Sequence, residues 1–187
     1  DQVNTLHLID LKKDLENKLG RKLEILSAGN TATLKLLEDK ELAQEISNLR
    51  VGEAVLLGTD IINENLIDGY HHYNFRLQAE IVELREKPSN PEGEMAFGGQ
   101  GRGYIIEDKG LRKRAILAVG KQDIDYHGLY PIWEGVKVLG ASSDHLITDV
   151  TEVNEDLEVG DILTFKINYS AMLRAMTSQY VTKNYIE

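Results

Sequence analysis

Ser27-Ala28-Gly29-Asn30-Thr31-Ala32-Thr33-Leu34, followed downstream by Asn48-Leu49-Arg50-Val51-Gly52-Glu53-Ala54, is the pair of segments on which the reading of this chain turns. In the first, the apolar residues Leu23, Ile25 and Leu26 give out at Gly29, and Thr31 to Leu37 have the composition of a helix capped by Asn30 or Thr31. A strand therefore feeds a helix through a short polar turn. Such a helix start leaves backbone N–H groups unpaired and carries the positive end of the helix dipole, which suits a dianionic phosphate, with the Thr31 hydroxyl as an added donor. Capping alone is the commoner use of these residue types.

The second segment raises the stakes of the first. Arg50 stands two residues before Gly52, and the run Ala54-Val55-Leu56-Leu57, ending at Gly58, reads as a loop entering a short buried strand. Gly52 lets the backbone approach a ligand closely, and Arg50 brings a donor fork that stays charged at working pH. Two phosphate-competent turns at the ends of consecutive strand candidates match the place where (β/α)8 barrels hold phosphate, after their last strands.

Outward from this pair, Leu8, Leu11, Leu15 and Leu19 recur at spacings of three and four with Gly20 at the stop position, the pattern of an amphipathic helix. From Asn74 the grammar changes to period two in Phe75-Arg76-Leu77-Gln78-Ala79-Glu80-Ile81, and a loop, Lys87-Pro88-Ser89-Asn90-Pro91-Glu92-Gly93, interrupts it. Further strands are expected at Arg114 to Val119, Gly135 to Leu139, His145 to Thr151 and Asp161 to Ile167. Tyr70-His71-His72-Tyr73 lacks the spacing of a metal helix and reads as a linker. The expected fold class is thus α/β plus β, with domains at 1–69 and 70–187.

Composition bounds the partners. A net charge of −10 over 187 residues argues against nonspecific binding to nucleic acid or anionic membrane. No cysteine is present, so there is no disulfide framework or thiolate metal site, as suits a cytoplasmic protein. No apolar run approaches the roughly twenty residues of a membrane span.

The two opening segments, with Glu107-Asp108-Lys109-Gly110, Arg112-Lys113-Arg114-Ala115-Ile116-Leu117-Ala118, Gly120-Lys121-Gln122-Asp123, Gly140-Ala141-Ser142-Ser143-Asp144-His145 and Ala175-Met176-Thr177-Ser178 before Tyr180, resemble in order the C-terminal half of the alanine/ornithine racemase group of pyridoxal-phosphate enzymes. The resemblance implies the last strands and helices of a TIM-type (β/α)8 barrel followed by an all-β domain, pyridoxal 5'-phosphate as cofactor and an amino acid as substrate, with ornithine, lysine, alanine and serine all open. It also implies a lysine on an early barrel strand that this chain does not contain, so the chain is expected to be incomplete and inactive by itself. A head-to-tail homodimer, in which one subunit's β-domain closes the other's site, is implied for the whole enzyme.

Carried over residue by residue, the resemblance makes Asn30 and Thr31 the phosphate turn, the backbone of Gly52 and Glu53 a second phosphate contact, and Tyr180 a late tyrosine reaching the same group. It sets Arg50 against the pyridine nitrogen, which a donor-only guanidinium leaves unprotonated. Related barrel decarboxylases place a glutamate there in a Glu-Pro-Gly-Arg segment, whereas this chain has Arg50-Val51-Gly52-Glu53. The second acid/base group is usually a tyrosine in a Ser-Tyr-Gly turn, but the match here is Ala96-Phe97-Gly98. Asp144 and His145, aligned with a Met-Asp-Gln turn, are the favoured replacements, ahead of Tyr104 and Asp123. Asp123 and Asp144 are also the acidic anchors available to a basic substrate. The alternatives are a non-catalytic β-domain with a phosphate-binding appendage that serves only association, or a related barrel decarboxylase.

Overall fold

The leucine spacing produces helix α1 (Gln2–Leu19), which stops where Gly20 turns left-handed at φ 63°. The computed structural model describes residues 2–60, 65–72, 74–90 and 108–186. They fall into two units, Asp1–Asn74 and Phe75–Glu187, so the junction lies just beyond the linker expected from sequence.

In the first unit Ile9 of α1 packs with Leu26 and Ile46, while Leu11, Leu15 and Leu19 of the expected apolar stripe remain exposed. Segments 26–29 and 47–50 run parallel, joined by Ser47 N–H to Leu26 O at 3.1 Å, Ala28 N–H to Asn48 O at 3.1 Å and Arg50 N–H to Gly29 O at 3.2 Å. These are adjacent strand ends in the sense expected of a parallel barrel. After the first comes a 3-10 turn, Thr31–Thr33, that runs into α2 (Leu34–Glu38).

The second run corrects an expectation. Ala54 to Leu57 do not form a strand but the short helix α3 (Glu53–Leu57), started at Gly52 and closed by Gly58 in the left-handed region. A four-residue apolar run is consistent with either element, and the flanking glycines decide for the helix. At Gly58 φ is 70°, and a Cβ would meet His71 O at 2.5 Å, so glycine is required there twice over.

The second unit is one six-stranded antiparallel sheet built from β1 (Arg76–Pro88), β2 (Leu111–Leu117), β3 (Leu129–Pro131), β4 (Lys137–Ala141), β5 (Leu146–Asp149) and β6 (Ile162–Ile167), ordered β3-β6-β1-β2-β5-β4. Long β1 bends at an irregularity between Ile81 and Glu83, pairing with β6 before it and with β2 through it and beyond. The outer strands β3 and β4 touch, so the sheet curls into a nearly closed barrel. Period-two alternation puts Leu77, Ala79 and Ile81 inside, against Leu117, Leu146, Leu163 and Phe165, all buried. Helix α4 (Tyr169–Thr177), capped by the Asn168 side chain on Ala171 N–H at 3.0 Å, follows β6 and buries Ala171, Met172 and Ala175. Neither β3 nor α4 was expected from sequence.

Phe165 is completely enclosed in this barrel. Phe165→Ala is expected to lower the stability of the chain by about 3–5 kcal/mol in chemical denaturation, and a loss under about 1 kcal/mol would contradict the packing described.

Candidate functional site

The local chemistry of the first turn follows its sequence. The Asn30 side chain accepts from Ala32 N–H at 3.0 Å, and Thr33 Oγ1 accepts from Asn30 N–H at 3.1 Å, a reciprocal cap that fixes the turn. Gly29 is left-handed at φ 85°, and a Cβ on it would lie 2.5 Å from Thr33 Oγ1. Thr31 is thereby aimed inward. Only 3% of it is exposed, and its hydroxyl accepts a long 3.4 Å bond from the N–H of Ala54 in the first turn of α3.

Asn30, Thr31, Gly52 and Glu53 are thus brought together. Nothing lies within 4 Å of the point where a Cβ on Gly52 would stand, so there is room beside this backbone. The carboxylate of Glu53 is drawn aside by Thr59, whose hydroxyl donates to it at 3.0 Å. Arg50 lies on the adjacent segment, exposed in this chain. Its Nη1 donates to Ser27 O at 3.2 Å and Ser27 Oγ at 3.1 Å, and Ser27 Oγ donates in turn to Asn48 Oδ1 at 2.7 Å. Among the described residues its Nε and Nη2 have no protein partner. Ser27 and Asn48, quoted in the sequence motifs without a role, are what orient this cation.

In the second unit Asp144 and His145 sit at the exposed tip of the β4–β5 hairpin. Ser142 shapes it, accepting from His145 N–H on its hydroxyl at 3.1 Å and donating its own N–H to His145 O at 2.8 Å. The turn at residues 120–124 docks on this tip, with Lys121 N–H on Ser142 O at 2.9 Å and Gln122 N–H on Ser143 O at 3.0 Å. Asp123 of that turn is 5% exposed and accepts from Ser178 Oγ at 2.7 Å. One oxygen of its carboxylate is therefore held within the fold. Nearby, the Ser170 hydroxyl donates to Asp125 at 2.8 Å and holds that carboxyl below its ordinary pKa. Tyr180 is 70% exposed. Ala96-Phe97-Gly98 and Tyr104 lie outside the described residues.

The architecture is that of alanine racemases. It superposes on the alanine racemase of Clostridium difficile 630 in complex with cycloserine with a TM-score of 0.54, at 15% identity, covering 94% of this chain and 46% of that one. With the alanine racemase of Bartonella henselae, which carries covalently bound pyridoxal phosphate, the TM-score is 0.51 at 16% identity, covering 95% and 46%. At such identities the likeness is one of fold. No protein-family model matches the chain. In sequence it is 47% identical over 178 residues to the lysine racemase of Thermotoga maritima, covering 95% of this chain and 50% of that protein. It is 45% identical over 180 residues to the ornithine racemase of Acetoanaerobium sticklandii, covering 96% and 51%. The chain is therefore similar to the C-terminal half of the alanine/ornithine racemases, and spans about half the length of the curated relatives it matches.

Gly120 tests the docking of turn on hairpin, because a Cβ there would stand 2.2 Å from Ser143 O whereas one on Gly140 would meet nothing within 4 Å. Gly120→Ala is expected to cost about 1–3 kcal/mol in denaturation and Gly140→Ala under about 0.5 kcal/mol. Equal effects would mean the turn does not rest on the tip.

Proposed function

We propose that this chain supplies part of the cofactor cradle and a β-domain of a pyridoxal 5'-phosphate-dependent amino-acid racemase, a cytoplasmic homodimer acting on an amino acid of the ornithine or alanine type. The observation that carries this reading is the convergence of the two turns, with Thr31 Oγ1 3.4 Å from Ala54 N–H beside the open backbone of Gly52. A hydroxyl and peptide N–H groups, with the Glu53 carboxylate held by Thr59, form a donor set that fits a dianionic phosphoester.

When bound, pyridoxal 5'-phosphate supplies the electron sink that acidifies the α-proton of the substrate. Thr31 holds the phosphate by its hydroxyl, and the Gly52–Glu53 backbone and the Tyr180 phenol complete its grip. Asn30 keeps the turn rigid. Arg50, anchored by Ser27 through one nitrogen, directs its other donors at the pyridine nitrogen. Having no acceptor, it leaves that nitrogen without a proton, which restrains side reactions and favours return of the proton to the α-carbon.

Racemisation removes a proton on one face and delivers another on the opposite face. We assign one face to a lysine from the other half of the barrel. The other falls to Asp144 and His145, presented at the hairpin tip to the partner subunit's site. Asp144 further offers a carboxylate to a terminal ammonium such as ornithine and lysine carry.

The tests use the protein that contains both halves. Thr31→Val is expected to weaken cofactor retention about 5- to 150-fold, the equivalent of about 1–3 kcal/mol for a hydrogen bond to a charged group; unchanged retention removes Thr31 from the cradle. Arg50→Glu is expected to raise transamination relative to racemisation in a chirality assay over a panel of amino acids. If that ratio does not move, the guanidinium does not face the ring.

A further inference from the structure

Asp123 takes no part in the chemistry assigned above, yet it is among the few charged residues buried in the β-domain. Its surroundings say what it does. A carboxylate only accepts, so Ser178 must direct its single hydroxyl proton at Asp123, over 2.7 Å. That choice turns the lone pairs of Ser178 Oγ outward, and one of them accepts the backbone N–H of Tyr180 at 3.1 Å. Ser178 is also the C-cap of α4, its N–H bonded to Arg174 O at 2.9 Å, and its carbonyl accepts from Lys183 Nζ. Arg174 Nη1 reaches back to Lys121 O at 3.3 Å.

The segment that carries Tyr180 is therefore clasped to the 120–124 turn at Asp123 and at Lys121, and the same turn is clasped to the hairpin tip that carries Asp144 and His145. We infer that Asp123 is a positioning residue: through Ser178 it fixes the backbone at Tyr180, and so sets the tyrosine that contacts the cofactor phosphate in register with the Asp144–His145 tip. The inference rests on the role proposed for Tyr180. Asparagine at 123 keeps an acceptor oxygen for Ser178 and preserves the clasp, whereas alanine abolishes it.

Two readouts on the full-length protein separate this inference from the functional reading beneath it. Amide hydrogen exchange over residues 178–183 is expected to accelerate in Asp123→Ala and Ser178→Ala but not in Asp123→Asn. Titration of apo-protein with pyridoxal 5'-phosphate is expected to show Kd raised about tenfold in the first two variants and in Tyr180→Phe, with near wild-type Kd in Asp123→Asn. The double variant Asp123→Ala/Ser178→Ala is expected to be no weaker than either single one, as for two members of one chain. Unchanged exchange in Asp123→Ala overturns the clasp. Faster exchange with unchanged Kd overturns the positioning role while leaving the cofactor site standing. Failure of the wild type to bind the cofactor at all overturns both. Should Asp123→Ala fail to fold, Ser178→Ala, which removes the bond to Asp123 from the other side together with the Tyr180 N–H bond, decides in its place.

Discussion

The first unit depends on the inward placement of one threonine hydroxyl. Thr31 is almost wholly buried, and its oxygen meets the first turn of α3. A buried hydroxyl needs partners, and here one of them is a peptide N–H at a helix start, a weak 3.4 Å contact that a stronger acceptor such as phosphate would outcompete. Everything local serves that placement. The Asn30 cap and left-handed Gly29 fix the turn, the parallel bonds between segments 26–29 and 47–50 align the two strand ends, and Gly52 keeps the space beside them clear.

The second unit solves a different problem, which is to present an exposed hairpin tip without letting it move. A curled sheet with a continuous apolar interior gives β4 and β5 a rigid base. The tip itself is braced by the 120–124 turn, where Gly120 packs directly on the hairpin backbone. Because that turn also holds the C-terminal segment through Asp123, residues distant in sequence share one set of hydrogen bonds.

How much of this was legible in the sequence follows the range of the interactions concerned. The Asn30 cap, the stop at Gly20 and the alternating strand that became β1 are set by residues within a few positions of one another, and each was readable. Ala54 to Leu57 was misread because four apolar residues lack the length to separate strand from helix, and the decisive signal was the glycine on either side. Helix α4 was overlooked although Asn168 and Ala171 carried a cap signature, and three-residue β3 is too short to show a period. At the site, Asn30, Thr31, Gly52 and Glu53 were recognisable as a group because each turn bears its own local motif. The bond between Asp123 and Ser178 was not, since the two lie 55 positions apart and no spacing rule joins them.

The apolar surface of α1 makes the same point about range from another side. Val3, Leu6, Leu11, Leu15 and Leu19 are all at least 40% exposed, while the first unit's own cluster is centred on Ile9, Leu26 and Ile46. At about 25 cal/mol per Å² of apolar area, leaving that many leucine and valine side chains in water forgoes a large share of the stability a small core supplies. A stripe with regular helical spacing is the face a helix ordinarily packs, and among the described residues of the unit it stays exposed. The chain spans about half the length of the racemases it matches.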